Sequence, residues 1–143
     1  MELYEFSKYI ASVYRMSKKD FKQAIDELDV RATQSDLLMF IHDHPDFTQR
    51  QIARVMTIDP SLLVKDLRVL MQKGWVQKTP NPDDKRAYRI ALTVTGETLA
   101  QRLKNTMTAW WADLFADNPQ IDGNELGKQL HRTLTALEAR NHD

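Results

Sequence analysis

Hydrophobic residues recur at three- and four-residue steps through most of the chain, and this spacing predicts amphipathic helices. The first predicted helix covers residues 2–28. A second helix follows and ends before Pro45, because the residue before a proline disfavours helical backbone. Thr33 and Asp36 have the spacing of a capping box, so we expect this second helix to begin there.

Two short helices are predicted in the middle of the chain. Thr48 opens a capping box, and Asp59 precedes Pro60 as an N-cap precedes a proline in the first helical position. The helix that begins at Pro60 covers residues 60–73 and stops at Gly74, a residue type preferred at helix ends. Because the connection between the two helices is short, the pattern predicts a helix-turn-helix.

Alternating and β-branched residues then predict two short strands, 75–78 and 88–92, joined by a proline-containing loop as a hairpin. Thr95 is the expected cap of a long helix after the hairpin. Asp122 is the expected cap of a last helix with a leucine stripe. The predicted order is therefore four helices, a hairpin and two more helices.

This order predicts a mainly α fold with a small β-hairpin wing, in a single domain over residues 1–143. Residues of about 30–93 form a winged helix-turn-helix, and residues 1–29 and 94–143 supply long amphipathic helices at both ends. The helices at the ends bury their apolar stripes either within one chain or across a two-fold axis. We expect a homodimer with dimerisation helices at both ends, because helix-turn-helix proteins commonly bind two half-sites.

The composition is that of a globular protein, with 42% hydrophobic and 28% charged residues among 143. No run approaches the roughly 18 apolar residues of a membrane span, and no secretory signal is visible, so we expect a cytoplasmic protein without a membrane partner. The absence of cysteine excludes disulfides, thiolate metal sites and cysteine redox sensing.

The net charge of zero conceals an asymmetry along the chain. Residues 48–93 carry nine Lys or Arg and four acids, an excess of five positive charges. The remaining residues carry eleven bases and sixteen acids. A basic centre between acidic ends indicates a face that binds a polyanion. The alternative is chance clustering on a solvated surface.

The most specific pattern is Asp84-Lys85-Arg86 followed by the segment 92–96, LTVTG. Together they match the D-x-R and LTxxG wing signature of the MarR family of bacterial winged-helix regulators. The chain resembles this family over most of its length, by motif from about Leu28 to Leu99. Further positions fit the same template: Gln34, Gln51-Ile52-Ala53 and Gly74.

The resemblance implies that the helix 60–73 enters the major groove and that the wing, residues 79–89, places Arg86 in the adjacent minor groove. Asp84 would orient the guanidinium. A planar, charged fork suits a narrow electronegative groove. The alternative is a solvated turn, as most exposed charge clusters are. The expected DNA-binding residues are Ser61, Leu62, Val64, Lys65, Arg68, Lys78, Asp84, Lys85, Arg86 and Arg89.

The recognition helix departs from the family in its apolar residues. Leu62 and Val64 are candidates for contact with thymine methyl groups. The alternative is that Val64 and Val69 pack inside, which we expect for Val69 and leave open for Leu62 and Val64. Additional bases are candidates for phosphate contacts, which position a protein without reading sequence: Arg50, Arg54 and Lys73.

The resemblance also implies an effector, a small aromatic or phenolic compound that releases the DNA. The residues expected to line its pocket are Tyr14, Met16, Met39, Phe40, Trp110 and Trp111. The alternative, which we favour for most of them, is the core or the dimer interface. Trp110 and Trp111 are adjacent and so cannot both face one core.

The sequence lacks the G-x-S-x-G, P-loop and dinucleotide-binding motifs, so no enzyme activity and no cofactor are expected. His42 and His44 do not have helical metal-site spacing, so no metal is expected either. We expect a homodimeric DNA-binding transcriptional repressor of a pseudo-palindromic operator. The alternative is a winged helix that binds protein and not DNA.

Overall fold

A computed structural model describes residues 1–141 of the chain. The described residues form six α-helices and a two-stranded antiparallel hairpin, which confirms the predicted order of elements. The helices are α1 (Glu5–Ala24), α2 (Ala32–Asp43), α3 (Gln49–Met56), α4 (Pro60–Gln72), α5 (Val94–Asp117) and α6 (Gly123–Arg140), and the strands are β1 (Val76–Pro80) and β2 (Tyr88–Leu92).

The chain divides into two compact units, residues 1–107 and residues from 108 onwards. The first unit contains α1 to α4, the hairpin and the first part of α5. Its core is a cluster of aliphatic side chains and one phenylalanine, drawn from every element of this unit. Its most deeply buried large members are Ile25, Leu37, Leu38, Ile41, Ile52, Leu63, Leu67, Leu70, Ile90 and Leu103.

The beginning of α2 differs from the prediction. Helix α2 begins at Ala32, and the Arg31 N–H donates to Oε1 of Gln34 over 3.2 Å. The predicted capping box of Thr33 and Asp36 is therefore wrong. The carboxylate of Asp36 does not cap the helix, because it forms an ion pair with the ammonium of Lys18 in α1. Asp36 thus makes a tertiary contact with α1 in place of the predicted local cap with Thr33.

Both predicted caps of the helix-turn-helix are present. The Gln51 N–H donates to Oγ1 of Thr48 over 3.2 Å, and the Thr48 N–H donates to Oε1 of Gln51 over 2.8 Å. At the start of α4, Oδ1 of Asp59 accepts from the N–H of Ser61 over 2.9 Å and from that of Leu62 over 3.3 Å. The hydrogen bond from the Ser61 hydroxyl, followed by these backbone bonds, lowers the pKa of Asp59.

The junction between the hairpin and α5 is tied to the end of α4. Gly74 has a φ of +77°, as expected at a helix stop. The Thr93 hydroxyl donates to the Gly74 carbonyl over 2.6 Å and accepts from the Gly96 N–H over 3.1 Å. Thr93, and not the predicted Thr95, is therefore the cap of α5. A Cβ on Gly96 would lie 2.0 Å from the Trp75 carbonyl oxygen, so the backbones approach too closely for a side chain there.

The hairpin pairs Val76 with Leu92 at its base and Pro80 with Tyr88 at its outer end. Strand β1 is two residues longer than the predicted 75–78 at its C-terminal end. Strand β2 also contacts the segment before α3, because the Ile90 N–H donates to the Phe47 carbonyl over 2.9 Å. This contact attaches the wing to the helix-turn-helix.

Candidate nucleic-acid interface

Helix α4 has one buried side and one open side. Leu63, Leu67 and Leu70 recur at helical spacing and are almost completely buried, so they fix the rotation of the helix on the core. The opposite side presents Lys65 and Arg68 to solvent. The side of α4 that is predicted to face DNA is thus accessible and basic.

The two apolar residues left open by the sequence are exposed on α4. Leu62 is 50% exposed and Val64 is 40% exposed, while Val69 is half-buried. The hydroxyl of Ser61, which precedes them, donates to the Asp59 carboxylate. A hydroxyl has one proton, so Ser61 can accept a further hydrogen bond but cannot donate another in this arrangement.

A groove separates the beginning of α3 from the wing. Residues from three elements meet there: Arg50 of α3, Lys78 of β1, and Asp84 and Arg86 of the wing tip. Its lining includes Gln49, Arg50, Lys78, Asp84, Arg86 and Tyr88. The ammonium of Lys78 lies 5.7 Å from the centre of the Tyr88 ring. The fold therefore brings the beginning of α3, residues 48–50, to the same surface as Lys78 and the wing residues 84–88.

The wing tip holds Arg86 in the open. Oδ1 of Asp84 accepts from the Arg86 backbone N–H over 2.9 Å and lies 3.8 Å from its Nε. The Arg86 side chain is 96% exposed. Asp84 thus bonds the backbone of the turn more closely than the guanidinium, and it shapes the loop from which Arg86 extends.

Two of the bases predicted to contact DNA, Lys73 and Arg89, have partners within the protein. The Lys73 ammonium donates to the Asp29 carbonyl over 2.6 Å and lies 4.9 Å from the centre of the Trp75 ring. The Arg89 guanidinium lies between two carboxylates, 3.8 Å from Asp46 and 3.8 Å from Asp83. Arg89 therefore connects the wing tip to the loop before α3.

The other bases of this face keep their charge uncompensated. Within residues 1–141, no acid lies within 4.0 Å of the charged groups of Arg50, Arg54, Lys65, Arg68 and Lys78. Two bases of α5, by contrast, are paired: Arg102 lies 3.0 Å from Glu27, and Lys104 lies 2.7 Å from Asp43. The positive potential of α3, α4 and β1 is thus available to a ligand.

The residues expected to line an effector pocket fall in both units. In the first unit, Tyr14 and Met16 are exposed on α1, and Met39 and Phe40 pack against the core. Partial burial, followed by the charge of Asp36 and a 3.5 Å hydrogen bond to it, raises the pKa of Tyr14. In the second unit, the rings of Trp110 and Trp111 meet edge to face at 4.8 Å, and Trp111 lies 5.6 Å from Phe115.

His42 and His44 have protein partners. Nδ1 of His42 lies 2.6 Å from Oε2 of Glu97 and joins α2 to α5, and His44 stacks on Phe40 at 4.2 Å. In the part of the chain that the structure describes, no cluster of three or more His, Asp or Glu has the arrangement of a metal site. Each helix among residues 1–141 is too short or too polar to cross a bilayer.

The sequence alone did not single out Gln49 or Tyr88 as site residues. Gln49 is the first residue of α3, directly after the Thr48 cap, and the cap pattern contained the signal that would have placed it. Tyr88 lines the groove from the first position of β2, where the hairpin register pairs it with Pro80. That register is not visible in the residue pattern of the loop.

A family model described as the MarR family matches residues 28–87. The chain is 26% identical to the multiple antibiotic resistance protein MarR of Escherichia coli (strain K12) over 137 residues. This alignment covers 96% of this chain and 85% of that relative.

Solved structures agree in fold. A mutant of the E. coli MarR complexed with operator DNA has a TM-score of 0.72 at 22% identity, over 96% of this chain and 99% of that chain. Streptococcus pneumoniae FabT in complex with DNA has a TM-score of 0.74 at 18% identity, again over 96% and 99%. At these identities the likeness shows the fold.

Proposed function

We propose that this chain, which a MarR family model matches over residues 28–87, belongs to that family of transcriptional regulators and acts as a homodimeric repressor. It would bind a pseudo-palindromic operator in the cytoplasm of a bacterial cell. The observation that carries the proposal is the row of uncompensated bases on α3, α4 and β1 beside an exposed arginine at the wing tip. Phosphate contacts from such bases provide most of the affinity of a protein for DNA.

The geometry supports a division of labour between α4 and the wing. A helix fits the major groove, and the open side of α4 carries Lys65 and Arg68, which contact base edges or phosphates there. Arg86 extends from the wing into the adjacent minor groove, where negative potential is strongest when the groove is narrow. The proposed DNA-binding set keeps all ten residues of the sequence prediction, with Arg89 acting through the position of the wing.

The helices at the two ends support the homodimer. Helix α1 exposes Phe6, Ile10 and Val13, and α6 exposes Leu130 and Leu134, each between 47% and 54%. Apolar stripes of this kind are characteristic of surfaces that another chain covers. Residues 1–29 and 94–143 are proposed to form the dimer interface within a single functional domain. An aromatic or phenolic effector is also proposed, with Tyr14, Met16, Met39 and Phe40 as its candidate contacts in the first unit. In the second unit the candidates are Trp110 and Trp111.

The test begins with selection of duplexes from a random library by the purified full-length chain. Measurement of the affinity of Arg86→Ala for the selected duplex follows. Loss of the wing contact is expected to weaken specific binding by ~1–3 kcal/mol. The logarithm of the wild-type affinity is expected to fall steeply with the logarithm of the salt concentration, because phosphate binding releases counterions.

Arg132→Ala is the matched control. Arg132 is exposed on α6, on the side away from the leucine stripe, and its replacement removes the same charge. It is expected to leave operator affinity unchanged. If Arg86→Ala binds as tightly as the control, the wing does not contact DNA. If no duplex is enriched and binding does not respond to salt, the protein-interaction alternative replaces the proposal.

A further inference from the structure

Val64 is an exposed apolar side chain among bases. It lines the groove between α3 and α4 that also contains Arg50 and Arg54. It also lines the neighbouring groove that contains Arg68 and Lys78. None of these four bases has an acid within 4.0 Å in the part of the chain that the structure describes. The 40% exposed valine therefore stands at the centre of a surface that attracts phosphate.

A valine gains nothing from phosphate, so its partner on a polyanion must be an apolar group. Base pairs in the major groove of DNA offer one such group, the C5 methyl of thymine. Val64 is four residues before Arg68, so both side chains project from the same side of α4. When these arginine and lysine side chains contact phosphates, Val64 lies next to the edges of the DNA base pairs between those phosphates.

Ser61, the polar residue one helical turn before Val64, does not donate a hydrogen bond to DNA in this arrangement. The Ser61 hydroxyl proton is engaged by Asp59, so Ser61 does not compete as a donor to a base edge. A β-branched side chain in a helix has essentially one χ1 rotamer, and its two methyl groups are therefore held in fixed positions. A rigid pair of methyl groups discriminates the presence of a methyl on the base better than a flexible side chain does.

We propose that Val64 is a specificity-determining residue that reads the methyl group of a thymine in each operator half-site. This inference rests on the proposed function, since it requires that α4 lie in the major groove. It goes further by naming the chemical feature of the operator that one residue recognises. The operator is accordingly expected to contain a thymine at a fixed position in both halves.

The test removes the methyl group from the DNA. Duplexes selected by the full-length protein are synthesised with deoxyuridine in place of each thymine in turn, which changes that one methyl alone. At one thymine per half-site, wild-type affinity is expected to fall about fourfold, which corresponds to the ~0.8 kcal/mol of one buried methylene-sized group. Val64→Ala is expected to bind the thymine and deoxyuridine duplexes equally at that position.

Val55→Ala is the matched control, because Val55 lies on α3 and is 47% exposed. This variant loses the same two methyl groups and is expected to keep the full deoxyuridine penalty. The inference is overturned if wild type tolerates deoxyuridine everywhere, or if Val64→Ala keeps the penalty. Either result leaves the proposed function intact, because specific binding has then been measured. Failure to enrich any duplex overturns the proposed function and the inference together.

Discussion

Two kinds of residue are combined in the wing signature. Thr93 and Gly96 face inward, where they connect the hairpin to the backbone at Gly74 and Trp75. Arg86, by contrast, is almost completely exposed and makes no close contact that the fold requires. Substitutions in one signature should therefore separate into losses of stability and losses of DNA binding.

Gly96→Ala is expected to lower the free energy of unfolding by ~1–3 kcal/mol, the usual cost of inserting a methyl group where there is no room. The added Cβ would lie 2.0 Å from a backbone oxygen, which cannot move aside as a flexible side chain can. Urea titration at fixed protein concentration measures the effect, since the stability of the proposed dimer would depend on concentration.

Gly127→Ala is the control for this experiment. A Cβ on Gly127, inside α6, would meet nothing within 4 Å. Alanine is the better helix former, so this variant is expected to be unchanged or to gain up to ~1 kcal/mol. Equal destabilisation of both variants would show that the contact between Gly96 and Trp75 is not the cause.

At the scale of elements, the sequence determines most of the helix-turn-helix because its signals are local. Thr48 and Asp59 cap α3 and α4 as their positions predict, and each cap needs residues no more than three apart. Predictions failed where a distant partner decides. Asp36 bonds Lys18 instead of capping α2, and Thr93 displaces Thr95 because it also bonds Gly74.

The Asp59 cap is expected to make stability depend on pH. Its pKa is lowered below the ordinary value of 3.8, first by the Ser61 hydroxyl and then by the backbone N–H groups of Leu62 and Ser61. A lowered pKa in the folded state stabilises the protein above the ordinary value, and this stabilisation is lost as the pH falls through the folded pKa. Asp59→Ala should therefore be less stable than wild type at neutral pH, and the difference should shrink as the pH falls below that ordinary value.

Thr48→Ala provides the comparison, because the Thr48 cap does not titrate. Its difference from wild type in free energy of unfolding is expected to stay constant over the same pH range. Urea titrations of the three proteins at neutral and acidic pH give both differences. A constant difference for Asp59→Ala as well would show that its carboxylate does not stabilise α4 through its charge.

At the scale of the whole molecule, the sequence predicts which charges gather but not which of them are neutralised. The excess of bases in residues 48–93 was visible without a structure. Only the fold shows that Arg89 lies between Asp46 and Asp83. Only the fold shows that Arg68 has no acid within 4.0 Å among residues 1–141. The same holds for Val64, whose exposure the helical pattern left undecided.

The apolar stripes carry the last prediction, which concerns assembly. The chain is expected to sediment as a dimer at micromolar concentration, and Leu130→Glu is expected to sediment as a monomer. Leu130 is 47% exposed on α6 and lies within its leucine stripe. By symmetry each substitution acts twice in a two-fold interface, and about half of each leucine remains to be buried there, so the loss costs roughly 1.5–3 kcal/mol before the carboxylates are desolvated.

Thr135→Glu adds the same charge to α6 away from the stripe, and its hydroxyl bonds only the helix backbone at His131. It is expected to remain a dimer. In the proposed dimer two recognition helices contact two half-sites together, so Leu130→Glu should also lose most of its affinity for a full operator while binding a single half-site like wild type. A wild-type monomer at micromolar concentration, or a dimeric Leu130→Glu, would show that the α6 stripe has another purpose. Arg86 and Val64 would then have to bind DNA one copy at a time.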